Sequence, residues 1–273
     1  MATTALRYVA LIALSFLFAY PFIWMLGTSV TPADEVLNRA RPLFPPHPAW
    51  SNYREALTVL PFAVFLKNTL IVAVLATMGQ VLSACSVAYA FARLKFPFRD
   101  TVFLLLLSTM MLPPQVTMIP AFILFTIPHW IDSLKPLIVP AWFGGGAFFI
   151  FLLRQFFMTI PTELDEAAFL DGASRFQVLR QVIMPLSKPA LTTVGLFAFL
   201  GSWNDFLGPL IYTQSIEKKT LAVGLTAFKS LHGTEYHLLM AASVAVLAPI
   251  LVIFFAAQKY FVEGIVTSGM GGR

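Results

Sequence analysis

Charge is what this sequence has least of. Only 11% of its 273 residues are Asp, Glu, Lys or Arg, and 58% are hydrophobic. A soluble domain carries about a quarter charged residues, so a water-soluble globule is excluded and an integral membrane protein is expected. Cysteine is reduced to one residue, Cys85, inside an apolar stretch. It has no internal disulfide partner and says little about redox compartment. No phosphate-binding loop with its Lys and Ser or Thr follows any glycine cluster, so ATP hydrolysis by that route is excluded; Gly144-Gly145-Gly146 reads instead as a place of close helix packing. His47, His129, His232 and His237 lack metal-ligand spacing, and the serines lack a nucleophile elbow. The acids sit almost wholly between the apolar stretches, which excludes a proton relay. The net charge of +5 is spread over loops. It suits anionic lipid surfaces and carries no nucleic-acid signal. No alternating, turn-punctuated pattern of a membrane barrel is present.

What the chain does have is long apolar runs. A helix needs about 20 such residues to cross the hydrocarbon, and six stretches qualify, at about 8–28, 68–92, 101–124, 137–158, 190–212 and 239–259. The expected fold class is therefore all-α, a polytopic membrane protein of six transmembrane helices in a single domain. The first run is too long for a signal-peptide core and lacks a small-residue cleavage site, so it is expected to stay as a span. Residues 29–67 form a polar loop rich in proline, with Trp50 and Tyr53 as interfacial anchors. The second span carries Thr77, Gly79, Ser83, Ala84, Ser86 and Ala88, small and hydroxyl residues of the kind that mark helix contact in lipid. Met110, Met111, Pro113 and Pro114 interrupt the third; the paired prolines either kink it beside a transport path or end it.

The most polar long segment is 161–189, PTELDEAAFLDGASRFQVLRQVIMPLSKP. It predicts two short helices. Pro161 suits a first turn, Thr162 and Asp165 approximate a capping box, and Glu163, Asp165 and Glu166 place negative charge at the helix start. Leu164, Ala167 and Ala168 share a face. Gly172 is a C-terminal stop. Ser174 and Gln177 form a second capping box, Phe176, Leu179, Ile183 and Leu186 continue an apolar stripe, and Pro185 and Pro189 end the second helix. An acidic, alanine-faced helix fits the groove of another protein, or lies in a hairpin on the membrane surface.

Glu166-Ala167-Ala168, Asp171-Gly172-Ala173 and then Ile183 and Pro185 resemble the EAA loop of the permease subunits of binding-protein-dependent ABC importers. The resemblance implies that 159–189 is a cytoplasmic coupling loop whose helix docks on an ATPase subunit through Glu163, Glu166, Ala167, Ala168, Asp171, Gly172, Ala173 and Phe176. Trp203-Asn204-Asp205-Phe206-Leu207 with Pro209-Leu210, and the ending Gln258 to Gly264, are similar to carbohydrate-uptake permeases of the maltose type. Arg154-Gln155-Phe156-Phe157-Met158 resembles glycerol-phosphate permeases as well.

An ionisable residue inside a span is costly and a functional candidate. Asp205 is either a hydrogen-bonded structural acid or, with Asn204, Met111 and Pro113, part of the substrate path. The basic cluster Arg93, Lys95 and Arg99 in a short loop favours that loop inside, which puts both termini in the cytoplasm of a bacterial or archaeal cell and the loops 29–67, 125–136 and 213–238 outside. The resemblance implies a second permease, two ATPase subunits holding ATP and Mg, and an external solute-binding protein, because the chain carries no fused ATPase. No cofactor is expected in the chain and no enzymatic activity. A maltose-type tail would reach between the ATPase subunits. An ion-coupled secondary transporter would need inverted repeats and intramembrane charges, of which only Asp205 is present.

Overall fold

The computed structural model describes residues 2–230 and 233–269. The chain is a succession of helices: α1 (Ala2–Ser29), α2 (Ser51–Thr58), α3 (Phe62–Arg93), α4 (Arg99–Ser108), α5 (Pro114–Thr126), α6 (Lys135–Ile138), α7 (Ala141–Gly144), α8 (Ala147–Thr159), α9 (Glu163–Leu170), α10 (Arg175–Val178), α11 (Met184–Leu186), α12 (Lys188–Trp203), α13 (Leu207–Tyr212), α14 (Leu221–Gly224) and α15 (Tyr236–Gly269). A two-residue hairpin, β1 (Lys229–Ser230) with β2 (Gly233–Thr234), precedes α15.

Among the described residues, four segments are long and apolar enough to cross a membrane: Leu6–Ser29, Phe62–Arg93, Lys135–Thr159 and Tyr236–Phe255. Two further pairs, Arg99–Met111 with Pro114–Thr126 and Arg175–Leu186 with Lys188–Trp203, bend by 100° and 84° at their breaks. Counting each pair as one span gives six. The bend at Pro113 and Pro114 has a plain cause. Pro113 is extended (φ −60°, ψ 133°), and Pro114 opens the next helix where its missing N–H costs nothing. α3 starts at Phe62, ahead of the expected 68–92 span and within the end of the proline-rich loop.

The packing divides into two compact units, Met1–Ala63 with Val223–Ile253 and Val64–Ala222 with Phe254–Arg273. In the first, Asn52 ties α2 to the end of α1 by donating to the carbonyls of Ser29 and Thr31 at 3.0 and 2.9 Å. From Leu6 to Leu26 no residue of α1 is buried, while Gly27, Thr28 and Ser29 at its end are. An all-round apolar helix of that length belongs against lipid or another membrane protein.

The second unit holds the larger core. Ala84, Cys85, Ala88, Tyr89 and Phe91 of α3 pack with Phe103 of α4, with Ile150, Leu153 and Phe157 of α8, and with Val178, Leu179, Ile183, Ala190 and Val194. The triple glycine works here as a close-approach site. Gly145 has φ +57°, and a Cβ there would lie 2.6 Å from the Ala84 backbone nitrogen. A side chain at this position would drive α3 and the start of α8 apart. Arg154 of α8 lies 4.3 Å over the Phe103 ring and turns its Nε to the Phe91 carbonyl.

Candidate functional site

The polar 159–189 segment folds as two helical pieces on the end of the second unit. In the first, Gly172 ends α9 as predicted. Its φ is +83°, the Gly172 N–H donates to Phe169 O at 3.0 Å, and the Ala173 N–H reaches back to Ala168 O at 2.9 Å. This pair of bonds is a Schellman closure, which uses the left-handed region that glycine enters freely. In the second, Ser174 accepts from the Gln177 N–H at 3.3 Å, and the Ser174 N–H donates to Gln177 Oε1 at 2.7 Å. The predicted Ser174 capping box is complete.

The other predicted box does not form. Thr162 is in the right-handed helical region and its side chain caps nothing. Its partner Asp165 turns inward instead, to 6% exposure, and sets Oδ2 2.9 Å from Nε of Arg93, the last residue of α3. The N–H of that Nε is not aligned on the carboxylate, and Asp165 Oδ1 has no hydrogen-bond partner, so the contact is ionic rather than a fitted hydrogen bond. Arg93 also donates from Nη2 to Ile160 O at 2.7 Å. Burial pushes the Asp165 carboxyl above its ordinary range, the Arg93 charge opposes that rise, and the neighbouring Glu166 adds to it.

The inward turn of Asp165 sets which residues face out. Ala168 and Ala173 pack partly against the core cluster. Glu163, Leu164, Glu166, Ala167, Asp171 and Gly172 are exposed, as are Phe169, Leu170 at 89% and Phe176 at 69%. The predicted face of Leu164, Ala167 and Ala168 is therefore split, with Ala168 inward and the other two outward. The predicted stripe from Phe176 to Leu186 is split too. Leu179–Ile183 is a wider π turn, which rotates the chain so that Val178, Leu179 and Ile183 are buried while Phe176 and Leu186 stay outside. Pro185 does not end the helix. It falls in the first turn of α11, and Pro189 falls in the first turn of α12, positions that need no proline N–H.

The candidates for the substrate path lie at helix breaks. Met111 closes a 3₁₀ turn at 84% exposure, and Pro113 follows it in the bend. The predicted fifth span is interrupted. Asn204 ends α12 and is exposed, while the half-buried Asp205 accepts the Gly208 N–H at 3.1 Å and caps α13. The Gln258–Gly264 ending falls within α15, and the tail at Met270 to Arg273, expected to reach between the ATPase subunits, lies outside the described residues.

Sequence reasoning missed Arg93 and Asp165 as partners. From the sequence, Arg93 reads as an orientation signal, and Asp165 as a helix-start charge and half of a capping box with Thr162. The available signal was the arginine closing a long apolar helix, because such a charge at the edge of a core needs a partner.

Apolar helices of membrane-crossing length, two sharply bent helix pairs and a polar two-helix loop that presents Glu163, Glu166, Phe169, Leu170 and Phe176 outward are the make-up of an integral membrane subunit. Residues 80–266 match the family described as binding-protein-dependent transport system inner membrane component. The chain is 34% identical over 248 residues to a probable ABC transporter permease protein of Pyrococcus horikoshii, covering 90% of each. It is 33% identical to the arabinooligosaccharides transport system permease protein of Bacillus subtilis, over 95% of this chain and 92% of that one. It is 34% identical to an sn-glycerol-3-phosphate transport system permease protein of Yersinia pestis, over 76% and 74%. The fold resembles that of a bacterial ABC transporter involved in import of the acidic polysaccharide alginate, with a TM-score of 0.84, 24% identity, and 95% and 96% coverage. The chain belongs to the family of inner-membrane permease components of binding-protein-dependent transport systems.

Proposed function

We propose that this chain is one permease of an ATP-driven importer that moves a sugar or oligosaccharide inward by alternating access, and that its 163–176 loop is where an ATPase subunit takes hold. The observation that carries this reading is the two-sided construction of the loop. Asp165, Ala168, Val178 and Ile183 fasten it to the second unit, while Glu163, Glu166, Ala167, Leu170, Asp171, Gly172 and Phe176 are exposed. Exposed large apolar side chains in an otherwise polar loop mark a protein contact. Glu166 supplies a polar contact, the small residues permit close approach, and Phe176 is an apolar knob. ATP and Mg belong to two partner ATPase chains. A second permease completes the path, and an external binding protein delivers the solute. Differential affinity of the closed ATPase pair and the loaded binding protein for one bundle conformation drives the switch.

In this reading Arg99–Met111 with Pro114–Thr126 counts as one span and residues 190–212 supply the fifth, giving six, with both termini and the 159–189 loop in the cytoplasm. Asn204, Asp205, Met111 and Pro113 line the path, since broken helices are where transporters expose backbone and polar groups to solute. Carbohydrate is favoured by the arabinooligosaccharide relative and by the structural likeness to the alginate importer. The glycerol-phosphate relative supports that solute as a second reading.

The test is Gly172→Trp. A Cβ at Gly172 meets nothing within 4 Å, so the bulk projects into open space and the strain of a side chain at φ +83° falls on the α9 closure rather than on the buried core; Gly172→Ala, with the same strain and no bulk, is the control and is expected to keep the coupling. The Trp variant is expected to lose the ATPase subunits on purification, or to hydrolyse ATP without response to the binding protein. Wild-type stimulated hydrolysis in Gly172→Trp would refute the docking role.

A further inference from the structure

Among the described residues, Arg93 and Asp165 form the only buried ion pair, with side chains 7% and 9% exposed. The sequence forgoes a local cap on α9 to make it, since Thr162 caps nothing. The contact is poorly fitted for stability alone: the Nε proton is off line and Asp165 Oδ1 is unpaired. What it does achieve is placement. Arg93 grips the loop at two points, the Ile160 carbonyl just before α9 and the Asp165 carboxylate within it. Arg93 also ends the 32-residue α3, a rod of about 48 Å at 1.5 Å per residue. Near the other end of that rod, Asn68 donates to the carbonyls of Glu217 and Lys219 at 2.8 and 2.9 Å, and Thr69 Oγ1 accepts the Leu221 N–H at 2.9 Å. One helix is thus fastened to the 163–176 loop at one end and to the 217–221 segment at the other.

We propose that Arg93 and Asp165 are positioning residues that clamp the coupling loop to α3, so that displacement of the loop is carried along this helix to the 217–221 segment on the opposite side of the membrane. The inference rests on the coupling role proposed above for the loop. A buried charge pair suits such a clamp because separating the partners leaves both charges stranded in apolar surroundings, so the loop cannot pivot freely on α3.

The experiment uses the complete transporter, with hydrogen exchange read over 163–176 and 214–221 in the nucleotide-free and ATP–vanadate states. In the wild type, ATP–vanadate is expected to change exchange at 214–221 by at least about fivefold, the lower range of an allosteric coupling. Asp165→Asn is expected to trap vanadate and keep ATPase protection at 163–176 but to lose the change at 214–221. The charge swap R93D/D165R is expected to restore it. R93M/D165L, which keeps the volume and strands no charge, is expected to fold, assemble and remain unresponsive. A wild-type response at 214–221 in Asp165→Asn, or a swap no better than the single variants, overturns the clamp while leaving the docking role intact. Absence of ATPase protection at 163–176 in the wild type overturns the docking role, and the clamp with it.

Discussion

The two helices of the 163–183 loop begin with similar signals and are held in different ways. Ser174 is extended (φ −74°, ψ 160°) and exchanges both bonds of its box with Gln177. Thr162 is helical (φ −70°, ψ −23°) and exchanges none, because Asp165 has gone to Arg93. A side-chain cap contributes about 1 kcal/mol. An arginine left buried without its partner costs about 3–5 kcal/mol. Where both claims fall on one carboxylate, the larger wins, and α9 keeps only its backbone start, with the Asp165 and Glu166 N–H groups on Thr162 O at 3.0 and 3.1 Å. The second helix carries Arg175 and Arg180, both exposed, so it has no buried charge to satisfy and keeps its local cap. One half of the loop is thus fixed by its own sequence and the other by a helix more than 60 residues away, as the Arg93 to Ile160 separation of 67 shows.

Removing the distant partner should have the largest effect. Arg93→Ala is expected to destabilise the detergent-purified chain by about 3 kcal/mol, the low end for breaking a buried pair, since the site lies at the rim of the core. Thermal unfolding measures it, and a loss no greater than that of a cap would erase the contrast between the two helices. The pH dependence sharpens it next. The folded Asp165 carboxyl titrates above its ordinary range because it is buried. Its contribution to stability is therefore fully present below the ordinary carboxylate value and is lost as pH rises through the raised folded value. Asp132 is the opposite case. Donation from the Ser215 hydroxyl, then from the Ser215 and Gln214 N–H groups at 2.8 and 2.9 Å, holds its carboxyl below the ordinary range. Its contribution is present above the ordinary value and is lost as pH falls through the lowered one. Relative to the respective Asn variants, wild type should lose stability with rising pH at Asp165 and gain it at Asp132; slopes of the same sign would contradict the assignment.

The same competition explains how much could be read beforehand. Hydrophobic length carried the helical class, the membrane setting and the positions of the runs, because crossing hydrocarbon is a property of one segment at a time. The Gly172 stop and the Ser174 box were legible for the same reason, the first being complete within Ala168–Ala173 and the second within Ser174–Gln177. The breaks were only partly legible. Pro113 and Pro114 announced a bend without its angle, and Asp205 gave no sign that it would cap α13 through Gly208 and divide the predicted fifth span. The side of the loop that faces outward was misjudged, since the helical wheel of Leu164, Ala167 and Ala168 assumes a helix free to choose its face. Here Arg93 and the π turn at Leu179–Ile183 choose it. Residues whose partners are remote in sequence, such as Arg93 with Asp165 and Asn68 with Glu217, leave no mark in a local pattern.

The finest discrimination is between the two threonine and serine starts themselves. Ser174→Ala deletes an acceptor that holds the Gln177 N–H and is expected to cost about 1 kcal/mol. The Ser174 N–H can still donate to Gln177 Oε1, so half the box survives and the loss should not exceed that figure. Thr162→Ala deletes a hydroxyl that caps nothing on an exposed residue, and is expected to fall within about 0.5 kcal/mol of wild type. Read from the sequence alone, both changes remove the first residue of a capping box and should cost the same. Unfolding of the two variants side by side decides whether the α9 start is held by Thr162 after all, in which case the costs would match, or by the Arg93 pair, in which case Thr162→Ala is silent and becomes costly only if Arg93 is removed and Asp165 is free to return to it.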